Sequence, residues 1–234
     1  MTKENKIYPN SPLQEAVFEI RFSGEPAISS KADEFYEIIR KHYPNVLVPL
    51  NSQSPLELYR FENDDNSSGV IVGIDKVAYF SKNYPGYESF KNASLEIIES
   101  FGKKFKLSNL KRTGLRYINV IPFTRKNMII PIEEYLNIDI VLPQKQSNHF
   151  SNLSMVFTLE TKLKGGLTTR IGTLLSPNVQ QEAILLDFDY AKKEQGLIFS
   201  KIEEYIEESH TNTKAFFEDL ITKNYRMFME GKVV

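Results

Sequence analysis

Residues 15–22, EAVFEIRF, alternate between two kinds of side chain. Ala16, Phe18, Ile20 and Phe22 fall on one side, and Val17, Glu19 and Arg21 on the other. A period of two is that of a strand with one buried face and one wet face. This stretch constrains the fold most: the chain must build a sheet that is covered on one side. The covering layer is legible next. Residues 30–42, SKADEFYEIIRKH, place Phe35, Ile38, Ile39 and His42 on one helical stripe. Ser30 is the N-cap candidate with Asp33 three positions on, and Pro44 limits the far end. A Pro-, Asn- and Ser-rich loop follows from Pro44 to Pro55.

LELYRFEN (56–63) and VIVGIDKVAYFS (70–81) predict two strands, joined through the turn-forming DDNSSG as a hairpin. Residues 88–105 carry Phe90, Ile97, Phe101 and Phe105 at helical spacing. LKRTGLRYINVIPF (110–123) is rich in β-branched and aromatic residues and predicts a strand up to Pro122. The order strand, helix, strand, strand, helix, strand over residues 1–125 is the ferredoxin-like βαββαβ order.

Residues 126–234 read differently. A short helix, PIEEYL (131–136), precedes a polar loop. SMVFTLETKLKG (154–165), LTTRIGTLL (167–175) and EAILLDFDY (182–190) predict antiparallel strands, the first two joined tightly at Gly165 and Gly166. The chain then turns helical from about Gly196 to Met229. Phe199, Ile202 and Ile206 give the first stripe, and Phe216, Leu220, Asn224 and Phe228 the second. HTNT (210–213) is the expected bend, with Thr211 or Asn212 able to recap. No repeat or low-complexity linker separates the halves, so one α+β domain over 1–234 with mostly antiparallel sheet is expected.

Composition narrows the function. Lys plus Arg total 29 and Asp plus Glu 30, a net charge of -1 that exerts no general pull on nucleic acid or anionic membrane. There is no cysteine, which excludes a disulfide scaffold, thiolate zinc and a cysteine nucleophile. The opening MTKENKIYPNSP lacks the apolar core of a secretory leader. No apolar run approaches the ~20 residues of a membrane span. A cytoplasmic protein without a membrane association is the expectation.

SPLQEAVFEIRF (11–22), YPGYESF (84–90), RTGLRYINVI (112–121), LLDFDY (185–190) and FFEDLITKNYRMFMEG (216–231) carry a family resemblance. In order and spacing these blocks resemble a sporadically distributed bacterial family of about this length, for which no function is established. The resemblance covers nearly the whole chain, but no block holds a constellation diagnostic of chemistry. It implies a bacterial cytoplasmic protein of patchy occurrence, a pattern seen for accessory genes such as phage-defence or toxin–antitoxin loci.

Candidate sites are few. DDNSSGVIVGID (64–75) imitates a calcium loop, with Asp64, Asn66 and Ser68 at ligand positions, Gly69 at the turn and Asp75 last. Its flanks are strand-like, so a hairpin turn is expected instead. His42, His149 and His210 show no metal spacing, and His210 and Asn212 lack a nucleophile. No metal or cofactor is expected. Glu19 and Arg21 share a face of the first strand, and Arg112 and Arg116 share a face of the strand at 110–121. These strands are neighbours in a ferredoxin-like sheet, where opposite charges pair across strands or line a surface that receives a ligand. Glu160, Lys162, Arg170, Asp187 and Asp189 add strand-borne charges later. Tyr84, Tyr87 and Phe90 are read as an exposed aromatic contact patch. The basic clusters KKFK (103–106) and KLKGG (162–166) are too small for nucleic acid, and phosphate-loop motifs are absent.

The expected function is therefore non-enzymatic: a protein-interaction or ligand-sensing component whose partner is another protein or a small ligand. Homo-oligomerisation is compatible with it. The alternative is a phosphate-handling or nucleic-acid-processing enzyme using the strand-borne acids and bases. It requires Glu19, Arg116, Glu160 and Asp187 to converge on one cavity.

Overall fold

The computed structural model describes residues 7–48, 57–140, 150–161, 165–176, 181–193 and 196–232. In chain order, the first half comprises β1 (Leu13–Arg21), α1 (Ala27–Ser30), α2 (Ala32–Ile39), β2 (Asn45–Leu47), β3 (Glu57–Glu62), β4 (Ser68–Gly73), β5 (Lys76–Ser81), α3 (Tyr87–Phe105), β6 (Asn109–Leu110) and β7 (Arg112–Pro122). The second half comprises α4 (Ile132–Tyr135), β8 (Ser154–Glu160), β9 (Gly165–Ser176), β10 (Gln181–Lys192), β11 (Leu197–Ile198), α5 (Ile202–Leu220) and α6 (Lys223–Met229). Nine strands form one sheet in the order β2-β3-β4-β5-β1-β7-β10-β9-β8, and β6 pairs with β11 in a small second sheet. Every pairing is antiparallel. The molecule is α+β with a large antiparallel sheet.

The alternation of β1 has the predicted consequence. Ala16, Phe18 and Ile20 are fully buried, and Phe22 nearly so. Helices α2, α3 and α5 lie over that side. Phe22 meets Phe101 of α3, Phe35 of α2 meets both Phe101 and Phe61, and Phe188 of β10 meets Phe216 and Phe217 of α5. Aromatic pairs dominate this core because each ring buries a large apolar area with few rotatable bonds.

Residues 70–81 are two strands, because Ile74 and Asp75 turn the chain between β4 and β5. The main sheet therefore takes one more strand from the first half than expected, besides the short β2 at its edge, and β6 pairs separately with β11. The predicted helix 30–42 is α1 plus α2. Lys31, not Ser30, precedes α2, and the Ser30 hydroxyl donates to Ala27 O. On α2 the inward residues are Ala32, Phe35 and Ile39, while Ile38 faces outward, and His42 lies exposed in the turn after the helix.

The expected bend at HTNT does not form, and α5 runs unbroken through it. Ser209 Oγ donates to Tyr205 O at 2.7 Å and Asn212 Nδ2 to Glu208 O at 2.8 Å. These polar side chains bond back one turn along their own helix instead of capping a new one. The break comes at Ile221 and Thr222, where Thr222 Oγ1 accepts from Tyr225 N at 3.1 Å. That shift turns Tyr225 and Met229 inward, and leaves Asn224 and Phe228 exposed.

Candidate ligand-binding site

Two places carry the chemistry-bearing residues. The first is the sheet face away from the helices. Antiparallel pairing sets Arg21 opposite Arg112 and Val17 opposite Arg116 across β1 and β7, and Arg116 opposite Asp189 across β7 and β10. The ion pairs run diagonally over this register. Glu19 Oε1 accepts from Arg21 Nε at 2.7 Å and from Arg112 Nη1 at 2.9 Å. Arg112 Nη2 reaches both oxygens of Asp189, at 2.7 and 2.9 Å. It lies flat over Gly114, where an added Cβ would come within 2.3 Å of Arg112 Nη1. Arg116 holds Asp187 with two bonds of 2.7 and 2.9 Å, and Arg170 adds a third at 3.0 Å.

The face is thus a lattice of mutually satisfied charges. The cross-strand pairing expected of Glu19 is made with Arg112, not Arg116. The convergence required by the enzyme alternative does not occur. Glu160 lies on β8, opposite Gly166 at the far edge of the sheet, and is exposed. Lys162 and His149 lie outside the described residues. Among the described residues no group of three or more His, Asp or Glu side chains is placed to hold a metal ion.

The residues imitating a calcium loop form the β3–β4 hairpin. Asn63 Oδ1 accepts from Ser68 N at 3.0 Å, Asp65 Oδ1 accepts from Ser67 N at 3.0 Å, and Asn66 takes the left-handed φ of 56°. Gly69 has a packing role. A Cβ there would stand 2.2 Å from Phe61 O and 2.8 Å from the Phe80 ring. Asp75 belongs to the next turn.

The second place lies on the helix side. A cleft of about 110 Å³ opens between the segment Ile7–Leu13, the start of α3, strands β7 and β10, and α5. Tyr84 and Tyr87 line it, but they are not an exposed patch: Tyr84 is half-buried, Tyr87 buried, and Phe90 is 0% exposed. The reason is that α3 begins at Tyr87, which turns Tyr87, Phe90, Ser94 and Ile97 inward as one stripe. Gly86 holds a φ of 93° immediately before the helix, and a Cβ there would strike Ile7.

His210 sits at the centre of the cleft wall. Its ring stacks on Tyr87 with 3.6 Å between centroids and 7° between planes. Its Nδ1 lies 2.9 Å from the Tyr117 hydroxyl, which lies 3.4 Å from that of Tyr84. Burial, with a contribution from nearby Lys214, lowers the His210 pKa to about 3. Burial pushes Tyr84 up to about 12 and Tyr117 well above its ordinary value. The cluster is therefore uncharged at neutral pH. Among the described residues, three buried polar atoms of these side chains have no hydrogen-bond partner, Tyr87 Oη, Thr213 Oγ1 and His210 Nε2.

His210 was legible only as a bend marker, and Asn212 is not its companion, since Asn212 bonds to its own helix. The signal that would have found the cleft is the continuation of the Ile202–Ile206 stripe to Thr213 in an unbroken helix. Tyr117 lies on the inward side of β7, and its neighbour His210 is 93 residues away, beyond the reach of local periodicity. No described helix is long and apolar enough to cross a membrane. No protein-family model matches the chain, and no curated protein sequence matches it.

Proposed function

We propose that the protein is a non-enzymatic ligand-sensing component of the bacterial cytoplasm, with the Tyr84–Tyr87–Tyr117–His210 cleft as its ligand site. One observation carries this reading. Tyr84, Tyr87, Tyr117, Phe188 and Phe217 wall one mainly apolar cleft, with the His210 ring set among them. Apolar walls with a few convergent polar groups are the usual make-up of a small-molecule site.

The charged sheet face formed by Glu19, Arg21, Arg112 and Arg116 is, in this reading, the surface that meets a protein partner. An accessory role in phage defence or a toxin–antitoxin locus follows from the family resemblance. We also keep the ferredoxin-like order for the unit β7-β1-β5-β4 with its crossover helices, treating β3 as an added strand.

The test is a fragment screen by protein-observed NMR on the full chain, alongside turnover assays with nucleotides and nucleic acid. Shifts centred on Tyr87, His210 and Thr213 are expected. Turnover that is lost in Arg116→Ala while the melting temperature falls by no more than about 4 °C would overturn the reading in favour of an enzyme on the charged face.

A further inference from the structure

Strand β8 is one edge of the nine-stranded sheet, and the bonds at its two ends fix which way its backbone groups point. Thr173 N donates to Leu153 O at 3.0 Å, and Thr161 N donates to Gly165 O at 2.8 Å. Bonded and non-bonded pairs alternate along an antiparallel ladder. The odd-numbered residues of β8 therefore bond to β9. Ser154, Val156, Thr158 and Glu160 aim their N–H and C=O groups out of the sheet. Among the described residues no backbone bond reaches those four.

Natural sheets guard such an edge with lysine, proline, a bulge or a very short strand. The opposite edge is short, since β2 has three residues. β8 has none of these guards. It runs for seven residues, SMVFTLE, in unbroken register with β9, and Glu160 is its one charge. Val156 is 62% exposed and Leu159 43% exposed.

We propose that β8 pairs antiparallel with β8 of a second copy, about a twofold axis at Phe157. Two requirements select this axis. Outward groups must meet outward groups, so even-numbered residues must pair with even-numbered ones. The ladder must also use the whole strand. An axis at Phe157 sets Ser154 opposite Glu160, Met155 opposite Leu159, Val156 opposite Thr158, and Phe157 opposite its own copy. Axes at Val156 or Thr158 meet the first requirement but carry two residues of each strand past the end of the other. With the axis at Phe157 no like charges stand opposite one another, which favours the pairing. Apolar side chains meet apolar ones on the helix side, where Phe157 lies 6.3 Å from Phe216 between ring centroids. A twofold contact of this kind uses the same patch on both copies and closes as a dimer, not a filament.

The experiment is sedimentation equilibrium of the full chain from about 5 to 500 μM, because an interface below ~1,200 Å² is a weak one. A monomer–dimer equilibrium within that range is expected. Thr158→Pro removes an outward N–H that β9 does not use, and Val156→Lys places a charge at an exposed position of the edge. Each should weaken the dimer by about tenfold or more and still melt cooperatively. The chain has no cysteine, so single cysteines read the axis directly. In Phe157→Cys the two Cα atoms would lie about 4.5 Å apart across a non-bonded pair, within disulfide reach. Oxidation should cross-link Phe157→Cys and not Leu159→Cys. A chain that stays monomeric throughout the range would overturn the proposal. A dimer that Val156→Lys does not weaken, or cross-linking of Leu159→Cys in preference to Phe157→Cys, would do the same.

Discussion

At the scale of residues, the charged face turns on Asp187. Its side chain is 3% exposed, whereas its partners Arg116 and Arg170 are 46% and 45% exposed. Either arginine alone still satisfies the carboxylate. Arg116→Ala and Arg170→Ala should therefore cost about 1 kcal/mol each, near the upper end for half-exposed pairs. The double variant leaves a buried carboxylate without a cation and should cost ~3–5 kcal/mol. Chemical denaturation of the four proteins measures this coupling. Additivity within ~0.5 kcal/mol would show that the two arginines do not share the load.

His210 supplies a second residue-scale prediction. Its pKa is about 3 in the folded protein against an ordinary 6.5. Above pH 6.5 both states hold a neutral ring, and the group contributes no pH dependence. As pH falls below 6.5 the unfolded chain takes up a proton that the folded chain refuses, so stability declines until about pH 3. Between pH 6.5 and 4 the loss is on the order of 3 kcal/mol, at about 1.4 kcal/mol per unit. The groups facing His210 are Tyr87, Tyr117 and Lys214. In His210→Phe this part of the acid sensitivity should vanish, so the stability gap to the parent protein narrows with falling pH. A gap that stays constant from pH 7 to 4 would refute the assignment.

At the scale of elements, the start of α6 depends on Thr222. Its Oγ1 accepts from Tyr225 N and donates to Glu134 O at 2.7 Å, tying α6 to α4. Thr222→Ala should destabilise by about 1–2 kcal/mol, and Thr222→Ser should recover most of it. Equal melting temperatures for all three proteins would show the cap to be idle. The β3–β4 hairpin makes a contrasting case. Asp65 and Asn63 direct their side-chain oxygens to backbone amides of the turn, which spreads oxygen ligands instead of enclosing an ion. Titration calorimetry should find no micromolar calcium affinity. Such an affinity, abolished by Asp64→Ala, would contradict this.

At the scale of the whole molecule, the sheet passes from first half to second through β1, β7 and β10 without a break. Helix α5 comes from the second half, yet it covers β7 and touches α3 of the first. Unfolding should therefore be one cooperative event, with far-ultraviolet circular dichroism and tyrosine fluorescence giving coincident transitions. Separate midpoints would divide the chain into independent halves.

What the sequence determined by itself is the set of local periodicities. The period of two in EAVFEIRF, the β-branched run at 112–121 and the aromatic stripe of α3 each name an element and its buried side, because burial selects side chains at the element's own repeat. The same reading put an aromatic patch at Tyr84–Phe90 and a bend at His210. Both were local inferences about groups whose partners are distant in sequence. Tyr117 and His210 are 93 residues apart, and Arg116 and Asp187 are 71 apart. Whether a tyrosine faces solvent or a cleft, and whether a histidine ends a helix or stacks inside it, depends on which elements the fold brings alongside. Tertiary packing alone decides that, because the energy lies in contacts that the local pattern does not contain.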